Sequence, residues 1–221
     1  MERTFFVGDI HGCARTFRRM VEETLQLTQA DVLYCVGDYI DRGPRSKEVV
    51  DYILFLRRNN YQVFTLRGNH EQMLLDARHG GNSFMLWMMN GGESTLRSFG
   101  VSEVNEMEQK YLDFFAGTEF HKEGRHFITA HAGLNFDAAD PFQDLESLLW
   151  IRGFRVDAHF LKGRLLIHGH TPIPGNQLLA QPLEGAVNID GGCVYNSRPD
   201  MGQLVALSLE EQKFLVMENE D

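Results

Sequence analysis

The chain has 221 residues, 43% hydrophobic and 24% charged, an ordinary composition for a globular protein and the length of one α/β domain, expected over residues 1–221. Its net charge of −10 argues against nucleic acid as the main partner, so an anionic substrate would need local cations to enter. Cys13, Cys35 and Cys193 form neither a zinc-type pair nor a disulfide framework, which fits a reducing cytoplasm; no run of about 18 apolar residues offers a membrane span, and the first strand starts too early to leave room for a signal peptide.

In chain order, Thr4 to Val7 reads as a short buried strand ending on Gly8-Asp9-Ile10-His11-Gly12. A helix follows from Cys13, with Phe17, Met20, Val21, Thr24 and Leu25 on one face at helical spacing. Val32 to Val36 is the second strand and ends on Gly37-Asp38-Tyr39-Ile40-Asp41-Arg42-Gly43. After Pro44, Ser46 is the expected N-cap of a helix that runs through Val49, Val50, Ile53 and Leu54 to Asn59-Asn60. Val63 to Leu66 then stops on Arg67-Gly68-Asn69-His70-Glu71, where Gly68 is expected to permit a tight turn. This β-α-β-α-β order implies parallel strands joined by right-handed crossovers.

Glu71 to Glu119 reads as helical. Glycine pairs at Gly80-Gly81 and Gly91-Gly92 bracket an apolar run from Phe84 to Met89, either a helix packed on the body or an apolar wall beside a site. Phe120 to Ala130 reads as a hairpin that delivers His131. Leu165 to Ile167 ends on His168-Gly169-His170-Thr171-Pro172, and Ala186 to Ile189 leads to Asp190-Gly191-Gly192. Gln203 to Leu209 and Lys213 to Met217 suit a closing antiparallel hairpin.

A lone histidine or Gly-Asp pair is usually structural. Here Asp-x-His, Asp-x-x-Asp-Arg, Arg-Gly-Asn-His, His and His-x-His each follow a separate strand, the end where open α/β sheets place ligands. Together they supply Asp, His and Asn donors without cysteine, which suits divalent metals of intermediate hardness.

The stretches GDIHG (8–12), GDYIDRG (37–43), RGNHE (67–71), HAGL (131–134) and HGHTP (168–172) resemble, in order and spacing, the PPP phosphoprotein phosphatases of the calcineurin-like metallophosphoesterases, closest to small bacterial and phage members. NGG (90–92) and Trp150-Ile151-Arg152 add to the likeness. The resemblance implies an α/β fold, a β-sandwich of mixed sheets flanked by helices, with the site at the carboxyl ends of the strands. It implies two divalent metal ions, with Asp9 and His11 on the first, Asp38 bridging, and Asn69, His131 and His170 completing the second. His170 is chosen over His168 because the family's ligand is the histidine of the Gly-His pair. Arg42, Arg67 and Arg152 match phosphate-binding arginines, His70 the general acid and Asp41 its partner.

Two divalent cations less Asp9, Asp38 and a bridging hydroxide leave positive charge which, with three arginines, would attract a phosphate dianion into this acidic chain. The expected reaction is hydrolysis of a phosphomonoester on a protein or peptide, by in-line attack of that hydroxide, with His70 protonating the departing serine or threonine alkoxide. Manganese suits the mixed donors best, with iron, zinc, nickel or cobalt as alternatives. The rival activities are symmetrical dinucleoside tetraphosphate hydrolysis or a small-molecule phosphatase; the rival without chemistry is a metal-binding scaffold. No nucleic acid or membrane partner is expected.

Overall fold

Phe5, Phe6 and Val7 are consecutive, yet they bury into two different cores. Successive side chains on a strand point to opposite faces, so an unbroken apolar run means a strand covered on both sides. In the computed structural model, which describes residues 2–221, this run is β1 (Thr4–Val7), at the centre of a five-stranded sheet. Parallel β2 (Val32–Cys35) and β3 (Gln62–Thr65) lie on one side, and the antiparallel hairpin β8 (Gln203–Ser208) and β9 (Lys213–Glu218) on the other. A second sheet holds β4 (His121–Glu123), β5 (Phe127–Ala130), β6 (Leu165–His168) and β7 (Ala186–Asn188), antiparallel at β4 and parallel thereafter.

The two sheets form a sandwich. Phe6, Val205 and Leu207 of the first share one core with Phe127, Ile167 and Val187 of the second. Each fully buried side chain of this kind contributes about 1.5–3 kcal/mol. The opposite face of the first sheet packs on α1 (Ala14–Arg19) and α2 (Ser46–Arg58), and further round on α3 (Asn69–Ala77) and α6 (Gln109–Ala116). The outer face of the second sheet packs on α7 (Leu145–Trp150) and α8 (Ala158–Leu161). Between α3 and α6 lie α4 (Gly81–Trp87), a π turn (Met88–Gly92) and α5 (Glu93–Phe99). The short α9 (Gly175–Leu179) follows β6. Among the described residues, no helix is long and apolar enough to cross a membrane.

The expected strands, crossovers and hairpins are present, with one local correction. Ser46 is the first residue of α2, not its cap, and its hydroxyl accepts the Asp41 N–H at 3.2 Å. The side chain braces the preceding loop instead of the helix end.

Candidate active site

The site is assembled from loops at the carboxyl ends of β1, β2, β3, β5 and β6. Backbone bonds lock the first two loops together: Ile10 N–H and His11 N–H donate to the Asp38 carbonyl at 3.0 and 2.8 Å, and Gly12 N–H donates to Tyr39 O at 2.9 Å. From the third loop, the buried Glu71 carboxylate accepts the N–H groups of Asp38, Tyr39 and Gly68 at 2.8, 2.9 and 2.9 Å. Gly68 is needed for close approach, not for a special turn. Its φ of −89° is ordinary, but a Cβ there would lie 2.1 Å from Asp38 Oδ1.

Asp38 is buried, with imidazoles around it. His11 Nε2 is 3.4 Å from its Oδ2, His131 Nε2 is 3.5 Å from its Oδ1, and His70 Nε2 is 3.9 Å away. Burial opposes its ionisation, but positive charge on the neighbouring histidines, which His70 retains, outweighs that and holds its carboxyl far below the usual range. Burial in turn pushes the pKa of His11, His131 and His170 down, the last to about 3, so these rings are neutral donors.

The tautomers follow from the partners. His131 Nδ1 lies 3.0 Å from the Val36 carbonyl and His11 Nδ1 lies 2.8 Å from the Ile40 carbonyl; a carbonyl only accepts, so both Nδ1 atoms carry the proton. Each Nε2 then presents a lone pair inward. His131 Nε2 and His170 Nδ1 each lie 3.0 Å from Asn69 Oδ1, while His170 Nε2 is buried without a partner. His170 Nδ1 can donate to Asn69 Oδ1, but His131 Nε2 and Asn69 Oδ1 are two acceptors at 3.0 Å, which repel unless they share a cation. At His11 a cation is already present, since Arg42 Nη1 lies 2.5 Å from its Nε2. The donor atoms of His11, Asp38 and His70, and those of Asp38, His131 and His170, each gather within 4.8 Å. A mixed oxygen and imidazole set of this kind fits divalent metal ions. Asp9 stands at the edge of the group, accepting the His170 N–H at 3.2 Å through both oxygens.

His70 is fully buried, and its Nδ1 lies 2.6 Å from Asp41 Oδ2. Burial opposes a charge on this ring, yet Asp38 and the Asp41 hydrogen bond prevail and raise its pKa above the imidazole norm. Its Nε2 is buried and has no partner.

The three arginines part company. Arg42 lies against His11 and 5.7 Å from the Tyr195 ring centroid. Arg152 is exposed, two residues beyond Trp150, whose indole stands perpendicular to the His170 ring at 6.0 Å. Arg67 is turned onto the end of α6. Its Nε donates to Thr118 Oγ1 at 3.0 Å, its Nη1 to Gln72 Oε1 at 3.1 Å, and its Nη2 to the carbonyls of Ala116 and Thr118 at 2.7 and 3.2 Å. The guanidinium is committed because it satisfies carbonyls at a helix terminus that has no further turn to donate to them.

His168 packs its ring 5.3 Å from that of Phe154. Four residues near the site carried no role in the sequence reading. Glu71 and Asp190 stood inside quoted stretches, Trp87 lay in the apolar run, and Thr95 carried no local signal. Asp190 is buried, and desolvation pushes its carboxyl up to about 7.

A family model described as calcineurin-like phosphoesterase matches residues 2–202. "Serine/threonine-protein phosphatase 1" of Salmonella typhimurium is 47% identical over 87 residues, which is 39% of this chain and only 38% of that relative's length. The asymmetrical "Bis(5'-nucleosyl)-tetraphosphatase PrpE" of Anoxybacillus flavithermus is 26% identical across 94% of this chain and 90% of its own. Among solved structures, a protein serine/threonine phosphatase from Saccharomyces cerevisiae superposes on 100% of this chain and 80% of its own with a TM-score of 0.66, at 16% identity, which speaks to fold alone.

Proposed function

The chain belongs to the calcineurin-like phosphoesterase family, a class of metal-dependent phosphoester hydrolases, and from that premise we propose that it is a protein serine/threonine phosphatase. The observation that carries the reading is the buried His70–Asp41 pair at the edge of the Asp38 cluster. A serine or threonine alkoxide is a poor leaving group and needs a proton as it departs. His70 is fixed by Asp41 through Nδ1 and leaves Nε2 free to donate that proton to the leaving oxygen.

In this proposal Asp9, His11, Asp38, Asn69, His131 and His170 hold two divalent ions, manganese the best suited. Metals held there would lower the pKa of water toward neutrality and polarise the phosphoryl group. Arg42 and Arg152 orient the phosphate; Arg67 would reach it only by releasing Thr118 and Gln72. The substrate is a phosphorylated protein or peptide, the working unit is a single domain over 1–221, and the compartment is the cytoplasm.

Dinucleoside tetraphosphate hydrolysis is the second activity, favoured by the near full-length match to the PrpE relative. Side-by-side turnover of a phosphoserine peptide and diadenosine tetraphosphate by manganese-loaded protein decides between them. Faster turnover of the peptide is expected. Exclusive turnover of the nucleotide would overturn the phosphatase reading, and inertness toward both and toward aryl phosphates would leave a metal-binding scaffold.

A further inference from the structure

We propose that Trp87 and Thr95 are positioning residues for the general acid, acting through Asp41; the inference rests on the role of His70 given above. Trp87 is fully buried, and its indole Nε1 donates to both oxygens of Asp41, at 2.9 and 3.1 Å. The Thr95 hydroxyl donates to Asp41 Oδ1 at 2.6 Å and accepts the Asp41 N–H at 2.9 Å. With His70 Nδ1 on Oδ2 at 2.6 Å, the carboxylate is held from three sides and cannot turn about its own bond. Its plane therefore sets the plane of the imidazole, and so the direction in which His70 Nε2 points.

The choice of side chain supports positioning over simple packing. An indole N–H donates and never accepts, so it fixes a carboxylate without competing for the proton on His70. A phenylalanine would be apolar enough for the core, though smaller than the indole, and would anchor nothing. The surroundings are shaped for the indole: a Cβ on Gly92 would lie 2.6 Å from Trp87 Cδ2, so glycine there makes room for the ring. Trp87, Gly92 and Thr95 fall on one continuous run of α4, the π turn and α5, which places the whole device on a single segment laid over Asp41.

The variants are Trp87→Phe, which keeps an aromatic ring and loses the donor, and Thr95→Val, which replaces a hydroxyl by a methyl of similar size. On a phosphoserine peptide each should lose about 10-fold or more in kcat, because a small misplacement of a catalytic group is costly. That loss should shrink steadily along a series of aryl phosphates as the phenol becomes more electron-poor and needs the proton less. In an Asp41→Asn background the same substitutions should add little further loss. The second readout needs no activity: the Trp87 indole N–H proton resonance, identified by its disappearance in Trp87→Phe, should shift and exchange faster with water in Asp41→Asn. Equal losses for all leaving groups in variants with unaltered unfolding, or an indole resonance indifferent to Asp41→Asn, would overturn the proposal. If Trp87→Phe fails to fold, Thr95→Val and the resonance decide alone, the indole then being assigned as the one that persists in Trp150→Phe. Failure of the phosphatase reading is seen separately, as turnover of the nucleotide and not of the phosphoserine peptide by wild type, while the Trp87 indole resonance still tests the positioning role.

Discussion

Glu71 should be among the costliest residues in the chain to truncate. Its two carboxylate oxygens take three backbone N–H groups, those of Asp38, Tyr39 and Gly68, all in buried loops. Glu71→Ala leaves these donors unpaired in a space that a single water could serve only in part. A buried donor stripped of its partner costs about 1–3 kcal/mol, so the three together should cost about 3–9 kcal/mol, less what a water returns. Glu71→Gln can keep its oxygen toward Asp38 and Gly68, the two donors that share Oε2, and loses the acceptor toward Tyr39; it should cost about 1–3 kcal/mol. Urea unfolding followed by tryptophan fluorescence measures both, provided the m-value is unchanged. Because the same bonds hold Asp38, the alanine variant should also bind metal more weakly even below its unfolding midpoint. A Glu71→Ala loss under 1 kcal/mol, or a glutamine variant as damaged as the alanine one, would show that these hydrogen bonds do not fix the loop.

Three further outcomes are expected. His70→Asn should retain bound metal by elemental analysis and lose about 10²–10⁴-fold on phosphoserine, with a smaller loss on an electron-poor aryl phosphate; loss of an ion would make His70 a ligand instead. Chelation should abolish hydrolysis and manganese should restore it, while Asp38→Asn should lose most activity because Asp38 adjoins both donor groups; full turnover by metal-free protein would refute the site. Asp31 is held below the usual carboxylate range by Arg3, with Thr28 adding two bonds at 2.8 Å, so it stabilises the fold above its unfolded pKa near 4 and loses that effect as pH falls further. Asp31→Asn should therefore cost about 1–3 kcal/mol at pH 7 and progressively less below about pH 4, and a penalty that does not shrink in acid would refute the charge argument.

The strand-end clusters were legible because each is local: an apolar run, then a turn bearing polar residues. Strand order was legible where a helix or a tight turn joined neighbours, as from β1 through β3 and from β8 to β9. The division into two sheets came only through the family resemblance, because nothing near Phe120 itself says that the next strand leaves the first sheet. Residue type also proved more legible than direction. The motif supplies an arginine at Arg67, but the unsatisfied carbonyls of α6 decide where its guanidinium goes. Ser46 stands where a cap should stand, but the loop before it claims the hydroxyl. Trp87 looked like one apolar residue among several, because the carboxylate that gives it meaning lies in a loop far earlier in the sequence.

The same loops explain why so much hydrogen bonding gathers behind the site. His11, Asp38, Asp41, Arg42 and His170 all have positive φ, between 45° and 73°, a region that non-glycine residues enter at a cost. At about 1–3 kcal/mol apiece, five such residues rival the net stability of a whole domain, about 5–15 kcal/mol. Short loops could not hold those angles alone. Glu71 binds three of the N–H groups involved, the Asp38 carbonyl binds two, and Trp87 with Thr95 clamps Asp41. The two cores of the sandwich supply rigid strand ends from which the loops depart. Convergence of donor groups around Asp38 is thus built into the backbone and held there by these hydrogen bonds.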